Sequence, residues 1–449
     1  MKNRIHQLIT LTAVCAALCG CSTYDAPNEQ PSEERETRVQ FQVDVAGEEN
    51  SRANITTNGS TFFGTWELLD LMGVVVTAPG SVNAVCEKFS YNGTLFDGTL
   101  PSAAVGAWKY IAFAPHTTTS GTIAALPFGN KRTQNGNHYN SNYDAMTADV
   151  VAYANAAPGK RPNGDWVAFQ FNRLTSILHF NLQSTGTNKQ VKSLLLTSKR
   201  QKLSANSLQF DVAQGSVAHA ALHDAEQSKV ILMDYAAGTS PTTNQIEAYF
   251  NILAGNYDEL TLDVLTQNKQ MCSLIITRND VSNPFIAGKL HSYNKSTPLV
   301  FAPVVAPSLT WANQDLNATH EIAFNADGTL AYPIDIQINA PAGLAGLDVH
   351  IVSAPLNTLL KITDLDLFND TQILPGLSYQ TLGLACSTQI QYTKTIRFDL
   401  TALVASISTL PINVEGNHIF SVKITDLAGN VVSQDLKFHY KKATRHFAK

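Results

Sequence analysis

His219 and His223 stand four positions apart with Asp224 beside them, in the run HAALHD. On a helix that spacing puts two imidazoles on one face, where they could hold zinc. The glutamate of a helical zinc-protease pair is missing and the flanking residues alternate as strands do, so no metal site is expected. His320-Glu321, and Glu67 with Asp70, are neighbouring ionisable groups, but neither makes a complete acid and base set. There is no Gly-x-Ser-x-Gly elbow, no phosphate loop and no dinucleotide fingerprint. With no nucleophile–base pair and no ligand cluster, the reading is of a protein that is not an enzyme and needs no cofactor.

The cysteines point elsewhere. Lys2 and Arg4 precede an apolar stretch, Leu8 to Leu18 (LITLTAVCAAL), that is too short to span a bilayer and reads as a signal peptide. It ends in Leu18-Cys19-Gly20-Cys21, which resembles the lipobox of bacterial lipoproteins: a branched apolar residue, two small ones, then the cysteine that receives the lipid. The resemblance implies cleavage before Cys21, acylation of its thiol and anchoring without a transmembrane helix. Loss of residues 1–20 removes Lys2 and Arg4 and no acid, leaving 29 basic against 36 acidic residues, a net charge of −7. No basic block exists to hold a polyanion, so nucleic acid is not an expected partner. Residues 21–37 hold two prolines and five acids with no apolar periodicity, and read as a disordered tether. Cys86, Cys272 and Cys386 are too widely spaced for a disulfide scaffold and read as small buried hydrophobes.

The elements behind these residues follow from composition. Only 15% of the 449 residues are charged, against about 25% in an average soluble protein. Ser, Thr, Asn and Gln fill the polar positions instead, which suits strands and turns better than exposed helix faces. Apolar residues recur with period two: Val39, Phe41, Val43 and Val45; then Val167, Phe169 and Phe171; then Leu178, Phe180 and Leu182. Phe420, Val422 and Ile424 lead to the turn Asp426-Leu427-Ala428-Gly429-Asn430, a hairpin signal. Thr401 to Ser408 is the best short helix. The expected fold is all-β, a tandem of β-sandwiches, over 38–172, 173–305 and 306–449. Pro298 to Pro307 (PLVFAPVVAP) marks the second boundary, as a last strand running into a linker.

Three segments resemble the fimbrillin-like lipoproteins of Bacteroidales, relatives of type V pilins. Trp108 to Pro115 (WKYIAFAP) resembles the family's aromatic strand, and Asp149 to Ala154 (DVVAYA) its acid-initiated apolar segment with one extra residue. Phe171 to Phe180 (FNRLTSILHF) resembles Phe-x-His-x-x-Ala/Ser-x-Val-x-Phe: Phe171, Ser176 and Phe180 match, Leu178 is a close substitute, and Arg173 replaces the histidine. The resemblance covers about 38–305 and implies two transthyretin-like sandwiches. From Leu347 to Tyr440 the segments LDVHIV, LLKIT, KTIRFDL and the final hairpin look like strands of an immunoglobulin-like domain.

The family also implies strand exchange: a protease cuts after an arginine, the first strand leaves, and another subunit's strand enters the groove. Here the removable strand is Arg38 to Val45, with Val39, Phe41, Val43 and Val45 inward, and the cut site is Arg52 in ENSRAN. The appended C-terminal domain favours an anchor, tip or stand-alone role over a shaft role. Expected partners are other pilin-like subunits or a host surface ligand, at the outer membrane. The alternative is a glycan-binding lipoprotein of a polysaccharide-utilisation system, with Trp66 and Trp166 as contacts and amides from Asn135 to Tyr143 (NGNHYNSNY).

Overall fold

The computed structural model describes residues 37–45, 56–58, 61–63, 66–100, 104–120, 123–184, 188–211, 220–222, 227–277, 284–295, 298–325, 329–369, 372–374, 377–379, 383–407 and 414–441. Over these residues the protein is all-β, with two seven-residue α-helices. Among the described residues no helix is long and apolar enough to cross a membrane.

The first part holds β1 (Thr37–Val45), β2 (Leu71–Thr77), β3 (Ala84–Tyr91), β4 (Phe96–Leu100), β5 (Gly106–Ala114), β6 (Ile123–Pro127), β7 (Lys131–Gln134), β8 (Met146–Ala148), β9 (Val151–Ala156) and β10 (Ala168–Arg173). Eight of these form one sheet in the order β8-β10-β1-β4-β3-β2-β5-β9. Because β8 also pairs with β5, Met146 opposite Ala114, the sheet closes on itself as a sandwich joined at both sides. Closure removes free edges. The apolar alternation of the sequence points inward: Val39, Phe41, Phe169 and Phe171 are all at most 1% exposed. β2 and β5 are buried on both faces and therefore read as nearly continuous apolar runs. Their outer residues Val75, Ile111 and Phe113 meet Leu126 of β6 and its covering partner strand.

The second part adds β11 (Thr175–Leu182), β12 (Val191–Ser198), β13 (Ser207–Asp211), β14 (Val230–Tyr235), β15 (Ile246–Leu253), β16 (Glu259–Thr266), β17 (Gln270–Thr277) and β18 (Leu290–Lys295). A sheet β15-β11-β18 packs on a sheet β7-β14-β12-β16-β17, which Ala302–Pro303 extends. The two parts interlock. β7, from before residue 172, pairs in parallel with β14, and β6 pairs with β13. FNRLTSILHF is not one strand: β10 ends at Arg173, Leu174 bonds back to the Ala145 carbonyl, and β11 begins at Thr175 in a different sheet.

The third part comprises β19 (Ser308–Trp311), β20 (Thr319–Ile322), β21 (Asp335–Asn339), β22 (Leu344–Val352), α1 (Ala354–Leu360), β23 (Asp364–Asp366), β24 (Thr395–Asp399), α2 (Thr401–Ile407), β25 (Gly416–Asp426) and β26 (Val431–Tyr440). A narrow sheet β19-β21-β24 faces a wide one, β20-β26-β25-β22-β23, over one apolar core. The hairpin β25–β26 forms as expected. Both oxygens of buried Asp426 accept from Asn430, one from its backbone N–H and one from its side-chain amide, and Gly429 takes φ +78°. α2 matches the expected short helix. LLKIT does not form the expected strand: Ser353 caps a helix by accepting the Leu356 N–H, Leu359 and Leu360 complete it, and Lys361 ends it in the left-handed region.

The second and third parts are docked, so the proline-rich run near 306 is no free joint. Leu195 and Leu232 meet Tyr392 and Leu427. The Lys394 ammonium lies 2.6 Å from the buried Asp263 carboxylate, and Lys192 donates to the Leu427 carbonyl at 2.6 Å. Gly343 sits at the contact at φ +92°, where a Cβ would come within 3.0 Å of Leu427, Leu195 and the Tyr392 carbonyl.

Candidate strand-exchange site

β1 lies inside the closed sheet, between two partners it engages along different halves. Thr37 to Phe41 pair antiparallel with Leu100 to Phe96 of β4, and Gln42 to Val45 pair in parallel with Ala168 to Phe171 of β10. Withdrawing β1 would open the sheet there and leave two unpaired edges, each a template for another strand. The slot's floor is specific. Phe41 is fully buried among Phe89, Tyr110 and Phe169, with ring centroids 4.8, 5.5 and 5.1 Å away. Val39 rests on Gly159, where a Cβ would fall 1.8 Å from a Val39 methyl and the backbone sits at φ +67°. The Gly159 N–H donates to the Tyr110 hydroxyl at 2.8 Å, fixing both walls. Val43 is half-buried against the same core; the side chain of Val45 lies outside the described residues.

At the outer end, the Arg38 Nε donates to Asp97 Oδ1 at 2.9 Å and a second guanidinium nitrogen to Oδ2. This hydrogen bonding holds the Asp97 carboxyl below the usual aspartate range. The pair is exposed and adds register rather than much stability. Sequence reasoning named the inward residues of β1 but not Asp97, Gly159 or the aromatic box, which follow only from pairing. Gly159, in the turn APGKRPNG, was the single one carrying a local signal.

Of the motif residues, Phe171, Leu178 and Phe180 are buried as expected, though on two sheets, and Ser176 is buried with its hydroxyl donating to the Lys289 carbonyl at 3.3 Å. Arg173 has a role the sequence left open. Its Nε sits 3.2 and 3.0 Å from the two oxygens of Asp144, both side chains being at most 1% exposed.

Next along β11, His179 stacks on Tyr249 at 4.5 Å, with its Nδ1 3.3 Å from the Ser292 hydroxyl. Burial pushes its pKa down, opposed by Glu247. Its folded pKa lies below the unfolded value of about 6.5, so the unfolded chain takes up the proton first. The stabilising effect of a neutral His179 is present above pH 6.5 and is lost as pH falls through the folded pKa. His179→Phe is expected to flatten the decline of the urea midpoint below pH 6.5, leaving the part due to His116, which burial and Lys88 depress in the same way.

The aromatic residues of the glycan alternative are packed into the fold to different degrees. Trp108 and Trp311 are core residues whose indole N–H groups donate to the Ala104 and Pro333 carbonyls. Trp66 packs half-buried on Phe96 and Phe171, with centroids at 4.7 and 5.9 Å. Trp166 lies under the Lys160 ammonium and packs half-buried against the same core as Trp66. The loop from Asn135 to Tyr143 is tied into the fold. Its Asn137 accepts the Glu247 N–H, and the Tyr139 hydroxyl accepts from the Asn251 amide at 2.8 Å.

Cys272 and Cys386 are buried free thiols as expected. Cys86 is only half-buried; burial and Glu87 still push its thiol pKa up to about 11. Cys21, Arg52, His219, His223 and Asp224 lie outside the described residues. Among the described residues no three His, Cys, Asp or Glu side chains cluster as metal ligands.

No protein-family model and no curated protein matches the chain. Solved structures do. A candidate cell adhesion protein from Bacteroides uniformis is 17% identical, with a TM-score of 0.36 over 54% of this chain and 91% of its own. A second, from Bacteroides ovatus, is 13% identical with a TM-score of 0.38 over 60% and 96%. The tip fimbrial protein Mfa3 of Porphyromonas gingivalis, C-terminally truncated, is 10% identical with a TM-score of 0.29 over 59% and 99%. At these identities and scores no residue role is carried over from them.

Proposed function

We propose that this protein is a cell-surface lipoprotein acting as a structural or adhesive component of a fimbrial system, in an anchor, tip or stand-alone role. Acyl chains on Cys21 hold it to the outer membrane, a leash runs from there to β1, and three units follow, the first two interlocked through β6 and β7 rather than divided at 172, the third from about 306. The last unit is read as immunoglobulin-like. What supports that reading is its two-layer build, the sheet β19-β21-β24 facing β20-β26-β25-β22-β23 over one apolar core.

Assembly proceeds by exchange of β1 after cleavage at Arg52. The observation that carries this reading is the position of β1: the first strand among the described residues, internal to a closed sheet, with Val39 and Phe41 wholly buried. Burying each such side chain is worth about 1.5–3 kcal/mol, so an empty slot is costly against a total stability of about 5–15 kcal/mol. A vacated slot therefore recruits a strand. Arg52 lies seven residues beyond the end of β1, so a cut there leaves both strand partners intact.

The test is brief trypsin treatment of the native chain. The first cut is expected after Arg52, abolished by Arg52→Gln, and followed by release of the β1 fragment and growth of oligomers that an excess of synthetic TRVQFQVDV peptide suppresses. An uncut bond under native conditions, or cut protein that stays monomeric, removes the support for exchange.

A further inference from the structure

The C-terminal sandwich is built from sheets of unequal width. Its narrow sheet has three strands and its wide sheet five, so at about 4.8 Å between strands they span roughly 10 and 19 Å. The wide sheet is therefore about two strands broader than the narrow one that faces it. Leu400, the α2 side chains Leu403 and Val404, and Leu384 cover part of that ground. What they leave is a cavity of about 110 Å³ in the core of the sandwich. Protein interiors seldom hold voids larger than a water molecule.

We propose that this cavity is a binding site for one small, uncharged, wholly apolar molecule, up to the size of a single aromatic ring. The described residues that line it are all apolar: among them Ile336 and Phe398 from the narrow sheet, Val349, Leu365 and Val422 from the wide one, and Leu403 from α2. Among the described residues no polar side chain lines it. Water needs two to four polar partners to occupy such a space, so it does not settle here, whereas a dry apolar cavity of about 150 Å³ takes up benzene or xenon. The walls also fix what is refused. A ligand hydroxyl would lose its hydrogen bonds to water and find none inside. The site is separate from the β1 slot and does not depend on the strand-exchange reading.

The experiment titrates the full chain with benzene and with phenol, following the methyl NMR signals of Val349, Val422 and Leu436. Benzene is expected to shift these signals saturably and to raise the unfolding temperature of the C-terminal part by a few degrees. Phenol is expected to bind about 10-fold more weakly or worse. Val422→Phe, which fills the space, is expected to abolish the benzene response. Should that variant misfold, xenon competition against benzene on the unaltered chain gives the same answer. A response to benzene that never saturates, phenol binding as tight as benzene, or xenon that fails to compete would overturn the proposal.

Discussion

Phe41→Ala is expected to destabilise the closed N-terminal sheet by about 3–5 kcal/mol, the range for truncating a buried phenylalanine. Gln42→Ala, an exposed neighbour on the same strand, should cost less than about 0.5 kcal/mol. The asymmetry arises because the strand's hold is concentrated on one face. Gln42 contributes its backbone, donating to the Val167 carbonyl at 2.9 Å, and that bond survives the substitution. Phe41 contributes contacts to three rings belonging to β3, β5 and β10, so its loss is felt across the interior rather than at one partner. The measurement is urea unfolding combined with amide hydrogen exchange. Amides of β4 and β10 that bond to β1 should exchange faster in Phe41→Ala than those of the β2–β5 pairing. If protection falls equally in both places, β1 is not the separable strand and exchange loses its physical basis.

Which parts of this arrangement were legible follows from the range of the forces involved. Alternation at Val39, Phe41 and Val43 is a local signal of a strand with one buried face, and it survives because that face meets a single core. The hairpin at Asp426 was equally local, since its turn is closed by the side chain of its own first residue. By contrast, the parallel pairing of Gln42 with Ala168 carries no trace in either segment. Nor does the transfer of β7 into the sheet of β14, because pairing uses backbone groups that every residue has. LLKIT was misread for a different reason. Its apolar run is short, and a short run fits strand and helix alike; the deciding residues are upstream, where Ser353 and Pro355 start a helix. Tryptophans that sequence alone could place on a surface were drawn inward by Phe96, Phe171 and the core around Trp108.

Arg173 was legible only as a departure from the histidine of the fimbrillin-like pattern, and its partner Asp144 was not legible at all. Together they are expected to produce the other large effect. Arg173→Met alone should destabilise the protein by about 3–5 kcal/mol, because it removes one half of an ion pair whose two side chains are at most 1% exposed. Asp144→Leu alone should cost a similar amount by removing the other half of the buried pair. The double variant should recover most of the loss, since two charges taken out of water together cost much of what their attraction returns. A double-mutant cycle on the urea midpoint checks this, with strong non-additivity as the expected outcome. Additive losses would mean each side chain matters through packing, not through the pair. The position gives the pair its weight: Arg173 is the last residue of β10, one residue before the chain enters β11, and Met146 opposite Arg173 begins the strand that closes the sheet. Breaking the pair here loosens the closing strand and the crossover at once. The single variants should therefore also speed hydrogen exchange at Leu174 and Met146, while the double variant restores it.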